Sequence, residues 1–289
     1  MRLLWLAFIV ATSAAAQQPA VSRPNTSVDK ARMEVLHIPS GGVEIFGVAY
    51  VAAGPGPHPT LVIAHGWPGN EKNLDLAQAV RRAGWNAVTF NYRGSWGSPG
   101  NFRFAQVPQD TAAVIAWLRR PDVAARLGVD PARIALAGHS MGGWSTAMTA
   151  AKDPALVGAI TISMGDMGLV GGLARAELVK RSAENAETLA GTSPEMMADE
   201  LIANAAANRA QAGAAGLAKI PMLILSSDDG LAPMSDGLAA AIRKAGGTRV
   251  TEAHVATDHS WSDNRLTLQG LVIEWLEGLA SRGHGPTGP

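Results

Sequence analysis

The chain has 289 residues, 47% of them hydrophobic and 17% charged, which suffices for one large globular domain with a full core and excludes a disordered chain. Lys+Arg and Asp+Glu balance at 24 each, so no polyanionic or membrane-surface partner is implied, and no basic cluster or base-stacking motif points to nucleic acid. The chain has no cysteine, which excludes disulfides, zinc-thiolate sites, lipid attachment through a cysteine and a thiol nucleophile.

Met1-Arg2, an apolar run over residues 3–10 and Ala14-Ala15-Ala16 predict a signal peptide over residues 1–16, cleaved after Ala16. The apolar run is too short to span a bilayer, so the expectation is an exported chain, periplasmic or secreted, with no membrane anchor once processed. A polar linker follows over residues 17–30. Residues 33–38 and 43–51 read as strands joined at Ser40-Gly41-Gly42. Residues 60–64 form a continuous apolar run, as expected of a strand buried on both faces, ending in His65-Gly66-Trp67-Pro68-Gly69. A helix runs to Ala83, a strand covers 85–91, and a glycine-rich loop from Tyr92 to Gly100 leads to a helix over 110–120. The next strand ends at Gly138 and a helix follows over 141–151. Strands at 156–163, 221–226 and 249–255, a helix at 238–244 and a closing helix at 267–279 complete the alternation.

Such alternation predicts an α/β fold: a mainly parallel sheet with helices on both faces, its site at the carboxyl ends of the strands. Between Asp166 and Lys219 the strand signal gives way to alanine-rich helical sequence. A helical cap over 167–219 is therefore expected, inserted into a core formed by 31–166 and 220–280, with a disordered tail over 281–289.

Gly138-His139-Ser140-Met141-Gly142 places a serine at a strand-to-helix corner. A sharp turn there holds Ser140 in a strained conformation above the sheet, and a side chain at either glycine would crowd the crossing. A serine hydroxyl is a weak nucleophile, so it needs an imidazole base and a carboxylate to fix that base's tautomer. Of seven histidines, His259 lies in a polar loop after the last strand, where its ring can reach back over the sheet. His139 adjoins the serine but is expected to point away from the turn. Asp228 and Asp229 follow the preceding strand, Asp166 is a third candidate acid, and the order serine, aspartate, histidine suits this architecture. The oxyanion hole needs two backbone N–H groups, expected from Met141 and Trp67.

The segments His65-Gly66-Trp67-Pro68-Gly69, Gly138-His139-Ser140-Met141-Gly142-Gly143, Asp229-Gly230-Leu231-Ala232-Pro233 and Asp258-His259-Ser260-Trp261 resemble the α/β-hydrolase superfamily. Asn91-Tyr92-Arg93-Gly94-Ser95 and the histidine loop are similar to the dienelactone-hydrolase-like and prolyl-oligopeptidase-like branches. The resemblance implies a serine hydrolase and selects Asp229, before the Gly-Leu-Ala-Pro run, as the acid.

The expected function is an esterase acting through an acyl-enzyme: Ser140 attacks, His259 relays the proton, Asp229 orients His259, and no cofactor or metal is required. The alternatives are a serine peptidase or amidase using the same residues, with Glu195, Asp199 or Glu200 holding a peptide amino terminus, and a non-catalytic binding protein. The partner is thus a small ester or a peptide. Trp67, Trp96, Trp144 and Trp261 lie in or beside the active-site segments, Trp144 being equally placed to face the core, which predicts an aromatic-walled pocket for short acyl or aryl groups, widened by Trp261→Ala.

Overall fold

The computed structural model describes residues 30–282; the signal-peptide and linker segments and the tail from residue 283 lie outside that range. Eight strands form one sheet: β1 Arg32–Ser40, β2 Val43–Val51, β3 His58–Ala64, β4 Asn86–Phe90, β5 Val129–His139, β6 Gly158–Ile162, β7 Met222–Ser227 and β8 Val250–Val255. Their order is β1-β2-β4-β3-β5-β6-β7-β8. β2 pairs antiparallel with β1 and with β4, and every later pairing is parallel.

The central strands are buried on both faces and mostly apolar because helices cover both sides. Along β3, Leu61 and Ile63 belong to one core with Leu76 and Val80 of α1 (Leu74–Arg82) and Leu268, Val272 and Leu276 of α10 (Arg265–Arg282). Val62 and Ala64 point the other way, into a core shared with α2 (Val107–Leu118), α4 (Met141–Ala150) and α9 (Ala232–Lys244). Side chains alternate between faces every residue, so a one-residue slip would exchange the two cores.

Three helical segments differ from expectation. α3 (Pro121–Leu127) was not anticipated, although Pro121 in its first turn and Gly128 at φ 62 after its end are the usual start and stop marks. α9 starts at Ala232 rather than at 238, because Pro233 falls in the first turn, where its missing N–H has no helical partner to lose. The closing helix α10 also continues past the expected end, to Arg282.

Between β6 and β7 lie α5 (Met167–Val170), α6 (Arg175–Glu184), α7 (Pro194–Ala203) and α8 (Ala214–Leu217). Asp166 ties this segment to the sheet. Its buried carboxylate accepts from Gly168 N–H at 2.8 Å, from Leu169 N–H at 3.3 Å and from Ala210 N–H at 3.1 Å, capping α5 and fastening the return of the chain. The loop after β4 docks on the same segment: Ala190 N–H donates to Gly94 O at 2.7 Å and Phe102 N–H to Ala190 O at 2.9 Å. Among the described residues no helix is long and apolar enough to cross a membrane.

Candidate active site

β5 ends at His139 and α4 begins at Met141, which leaves Ser140 alone at the corner with φ 57° and ψ −122°. Such a conformation costs a residue with a side chain about 1–3 kcal/mol and persists only where its surroundings over-determine it. Here they do. Ser140 N–H donates to Ile162 O at 2.9 Å, and its carbonyl accepts from Gly143 N–H at 2.9 Å and Gly165 N–H at 3.1 Å. Gly138 and Gly142 allow the strand and helix to meet: a Cβ on Gly142 would collide with the Ala64 carbonyl, and one on Gly138 with the Gly142 carbonyl. Both obstacles are backbone, which cannot rotate away. Gly142→Ala is therefore expected to lower the free energy of unfolding by about 3 kcal/mol, the upper range for overpacking, as read by urea denaturation. An unchanged midpoint would mean that the turn relaxes freely.

The loop after β3 passes over this corner. A Cβ on Gly66 would lie 2.9 Å from Ser140 Cβ and 3.4 Å from its Oγ, so only glycine leaves the hydroxyl accessible there. Met141 N–H stands at the first helical position, where no intrahelical acceptor exists, and Trp67 N–H has no acceptor among the described residues. His65 braces the loop from beneath. Its Nδ1–H donates to Gly66 O at 2.7 Å, its ring packs 4.5 Å from that of Tyr92, and the Tyr92 hydroxyl donates to His65 O at 2.9 Å. Burial outweighs the Gly66 hydrogen bond and pushes the His65 imidazole down to about 4, so it is neutral at physiological pH.

His259 sits between β8 and α10 and donates from Nδ1 to Asp229 Oδ2 at 2.6 Å. The Asp229 side chain is only 2% exposed, and its Oδ1 accepts from Leu231 N–H at 2.8 Å. Burial alone would raise this carboxyl. The hydrogen bonds from His259 and Leu231 outweigh it and hold the group below the usual carboxylate range. Asp228 faces elsewhere, with Oδ1 2.9 Å from His254 Nε2 in an exposed pair. The third candidate acid, Asp166, is occupied in capping α5.

One contributor was set aside by sequence reasoning. His139 turns toward the base loop: its Nε2–H donates to the His259 carbonyl at 2.7 Å and the two rings lie 4.6 Å apart. Burial, and then the nearby His259, push its imidazole down to about 3. It is a neutral clamp beneath the base and carries no proton of its own into the chemistry.

Ser140, His259 and Trp67 open onto one cavity of about 350 Å³, with Gly165, Met167, Val170 and Leu231 among its apolar lining. The far wall is α6, through Glu177, Lys180, Arg181 and Glu184, and Arg181 Nε holds Glu177 Oε1 at 2.7 Å. Of the four tryptophans expected at this pocket, only Trp67 lines it. Trp261 is fully buried on the α1/α10 side of the sheet, its φ of 60° turning it inward and its indole N–H donating to Ser163 Oγ at 2.9 Å. Trp261→Ala therefore opens a cavity in the core and does not widen the pocket. Trp144 is fully buried on the opposite side and donates to Asn208 O at 2.6 Å. Trp96 lies half-exposed outside the cavity, with Lys72 Nζ 4.0 Å over its ring and its N–H on Pro68 O at 2.8 Å. The aromatic wall is Trp67 alone of the four, held edge-to-face by Phe104 at 5.2 Å.

Arg93, in the loop singled out from the sequence, does not line the cavity either: its Nε bonds Asp110 Oδ1 at 2.6 Å inside the fold. The acids expected to hold a peptide amino terminus are likewise elsewhere. Asp199 pairs with Arg175 at 2.6 Å, Glu195 accepts from Ser193 at 2.9 Å and Glu200 from Ala105 N–H at 2.8 Å. Among the described residues no group of three or more metal-ligating side chains is gathered.

Residues 48–284 match the family model described as X-Pro dipeptidyl-peptidase (S15 family). An uncharacterized protein of Mycobacterium tuberculosis is 30% identical over 118 residues, and the match spans only 40% of that relative's length and 40% of this chain. Among solved structures, an esterase of Pyrobaculum calidifontis superposes with a TM-score of 0.67 at 19% identity, covering 87% of either chain. A thermostable carboxylesterase from a metagenomic library gives 0.63 at 19% identity, covering 87% of this chain and 90% of its own. At such identities these two establish the fold alone: the sheet, its helices and the corner are those of an α/β-hydrolase.

Proposed function

The chain belongs to the X-Pro dipeptidyl-peptidase (S15) family of serine hydrolases, and on that premise we propose that it cleaves carboxylic esters of short acyl or aryl groups through an acyl-enzyme. The observation that carries this reading is the opening onto one small cavity of a strained serine and of a histidine whose other ring nitrogen is fixed by a buried carboxylate. Ser140 Oγ attacks the acyl carbon and its proton passes to His259 Nε2. The charge formed on the ring is stabilised by Asp229 through Nδ1–H. The developing oxyanion is received by the Met141 and Trp67 N–H groups, which have no competing acceptor among the described residues. Protonation of the leaving alkoxide by His259 releases the alcohol, and water then repeats the sequence on the acyl-enzyme.

The chemistry acts equally on an ester or an amide, and the family supports a peptidase as a second reading. The cavity wall favours the ester. Holding a free peptide amino terminus calls for a carboxylate buried in the site, whereas Glu177 is already paired with Arg181 and half-exposed, and Glu184 is exposed. Size sets the acyl limit, since about 350 Å³ lies at the low end for enclosing a small ligand. The reading includes export after cleavage following Ala16, supported by the pattern of the first residues alone.

A graded panel of p-nitrophenyl esters and aminoacyl amides is the test. Turnover is expected to be highest on short acyl chains, to fall steeply by about ten carbons and to be far lower on every amide. Preference for chains of about ten carbons or more would refute the narrow site, and faster cleavage of X-Pro amides than of esters would transfer the assignment to the peptidase reading.

A further inference from the structure

The loop that carries His259 is held by two donors from different elements. His139 Nε2–H meets the His259 carbonyl at 2.7 Å, and Arg265 Nη1 donates to the next carbonyl, that of Ser260, at 2.8 Å. Arg265 is the first residue of α10, and its side chain is 19% exposed. Its remaining donors reach the segment that continues from Trp67 into α1. Nε donates to Asp75 Oδ2 at 2.9 Å, Nη2 to Asp75 Oδ1, and Nη2 also to Asn73 Oδ1 at 3.0 Å. Asn73 is fully buried with φ 56° immediately before α1, and Asp75 lies in the first turn of that helix, 190 residues from Arg265 in the chain. Gln269, one turn further along α10, donates to Asp75 Oδ2 at 2.9 Å. Burial would raise the Asp75 carboxyl. The hydrogen bonds from Arg265 and Gln269 outweigh it and hold the group below the usual carboxylate range, so the pair is charged at physiological pH.

One guanidinium therefore bridges the loop of the base and the segment of an oxyanion donor. The hydrogen bond from His259 Nδ1 to Asp229 fixes the tautomer of the ring but lets the ring pivot about that single contact. The position of Nε2 against Ser140 then depends on where the loop backbone is held. A planar guanidinium that grips one carboxylate through two N–H groups has a fixed direction, unlike a lysine ammonium, and its other edge holds the Ser260 carbonyl at a set distance from α1. We propose that Arg265, oriented by Asp75, is a positioning residue for the hydrolysis: it registers the His259 loop against the Trp67 loop, so that base and oxyanion donor address the same acyl group. Neither Arg265 nor Asp75 lines the Ser140 cavity, so the loss of either acts through the base loop and not through substrate contacts. The inference rests on the assignment of His259 as the base and of Trp67 as an oxyanion donor.

Steady-state hydrolysis of p-nitrophenyl acetate by the full chain tests it. Arg265→Ala is expected to lower kcat about a hundredfold, the cost of misplacing a catalytic group by about 1 Å, while KM moves by less than about threefold. Arg265 lines an open cleft of about 550 Å³ with Glu71, Asp75, Ser260 and Ser262, so a free guanidinium ion can enter the gap left by alanine. At about 50 mM, far below denaturing concentrations, guanidinium chloride should raise kcat of Arg265→Ala at least about tenfold, where equal sodium chloride does not, and leave the parent chain unchanged. The rescue should be absent from Arg265→Ala/Asp75→Asn, which lacks the carboxylate that would hold the ion. A side chain that served stability alone would show no such rescue. Asp75→Asn keeps the arginine and covers the case in which Arg265→Ala misfolds: its kcat is expected to fall about tenfold, with the near-ultraviolet circular dichroism of the parent. A folded Arg265→Ala with kcat within about threefold of the parent, a loss confined to KM, a loss of kcat that guanidinium leaves untouched, or an Asp75→Asn as active as the parent overturns the proposal. A parent chain inert toward both the ester and a serine-directed phosphonate ends the catalytic reading itself, which an active parent with indifferent variants leaves standing.

Discussion

Ser140→Ala should abolish phosphonate labelling and lower kcat by about four orders of magnitude or more, leaving a protein that unfolds at nearly the same denaturant concentration. The catalytic loss follows from removal of the attacking oxygen, after which only binding and the oxyanion donors remain to lower the barrier. The stability expectation follows from the corner itself. The backbone hydrogen bonds that hold it run through the Ser140 N–H and carbonyl to Ile162, Gly143 and Gly165, and all survive the loss of the hydroxyl. Alanine is as unsuited as serine to φ 57°, so the strain is unchanged. Ser140→Gly separates the two effects. Glycine adopts positive φ without penalty, and this variant should be equally inactive yet more stable than Ser140→Ala by about 1 kcal/mol in urea denaturation. Undiminished ester turnover by Ser140→Ala would end the serine mechanism. Equal stability of the alanine and glycine variants would mean that the corner stores no strain.

The parts of this site that sequence made legible are those whose chemistry is fixed by chain position. A serine between two glycines at a strand-to-helix corner, and a histidine and an aspartate in loops after the last two strands, must emerge at the same edge of a parallel sheet, whatever the details of packing. The pocket was not legible for the opposite reason. Whether a tryptophan near an active-site segment faces the cavity or the core depends on one rotation of a helix or one positive φ. Trp144 is one turn past the serine, but at that angle it meets the 204–208 turn and not the substrate. Trp261 is turned into the core by a φ of 60° that no pattern announces. The opposite wall was hidden by its polarity: Glu177, Lys180, Arg181 and Glu184 recur at helical spacing on one face, and in sequence such a stripe is indistinguishable from a solvated surface. His139 was passed over because a residue beside the nucleophile in a strand is expected to point into the sheet. Its partner, the His259 carbonyl, is 120 residues away in the chain.

Asp229→Asn is the other substitution with a large expected effect, and Asp228→Asn is its control. Both residues follow β7, both are within reach of a histidine, and a second serine-histidine-aspartate row exists there: Ser226 Oγ lies 3.0 Å from His254 Nδ1, and His254 Nε2 lies 2.9 Å from Asp228 Oδ1. Burial separates them. Asp229 is sealed from solvent and holds the ring that opens onto the Ser140 cavity, whereas the His254–Asp228 pair is exposed and Ser226 is buried beneath it, away from that cavity. An amide at position 229 offers its nitrogen or its oxygen to His259. With the nitrogen donating, the proton moves to Nε2, which can then no longer accept from the serine. With the oxygen accepting, the tautomer survives but the charge that would stabilise the imidazolium is gone. kcat is expected to fall by about four orders of magnitude in Asp229→Asn and by less than about threefold in Asp228→Asn, since an exposed pair is worth little. The rate on p-nitrophenyl acetate, with near-ultraviolet circular dichroism to show that both variants are folded, reads the difference. A larger loss in Asp228→Asn would move the acid to the neighbouring residue and the base to His254. Comparable activity in both variants would remove the carboxylate from the mechanism.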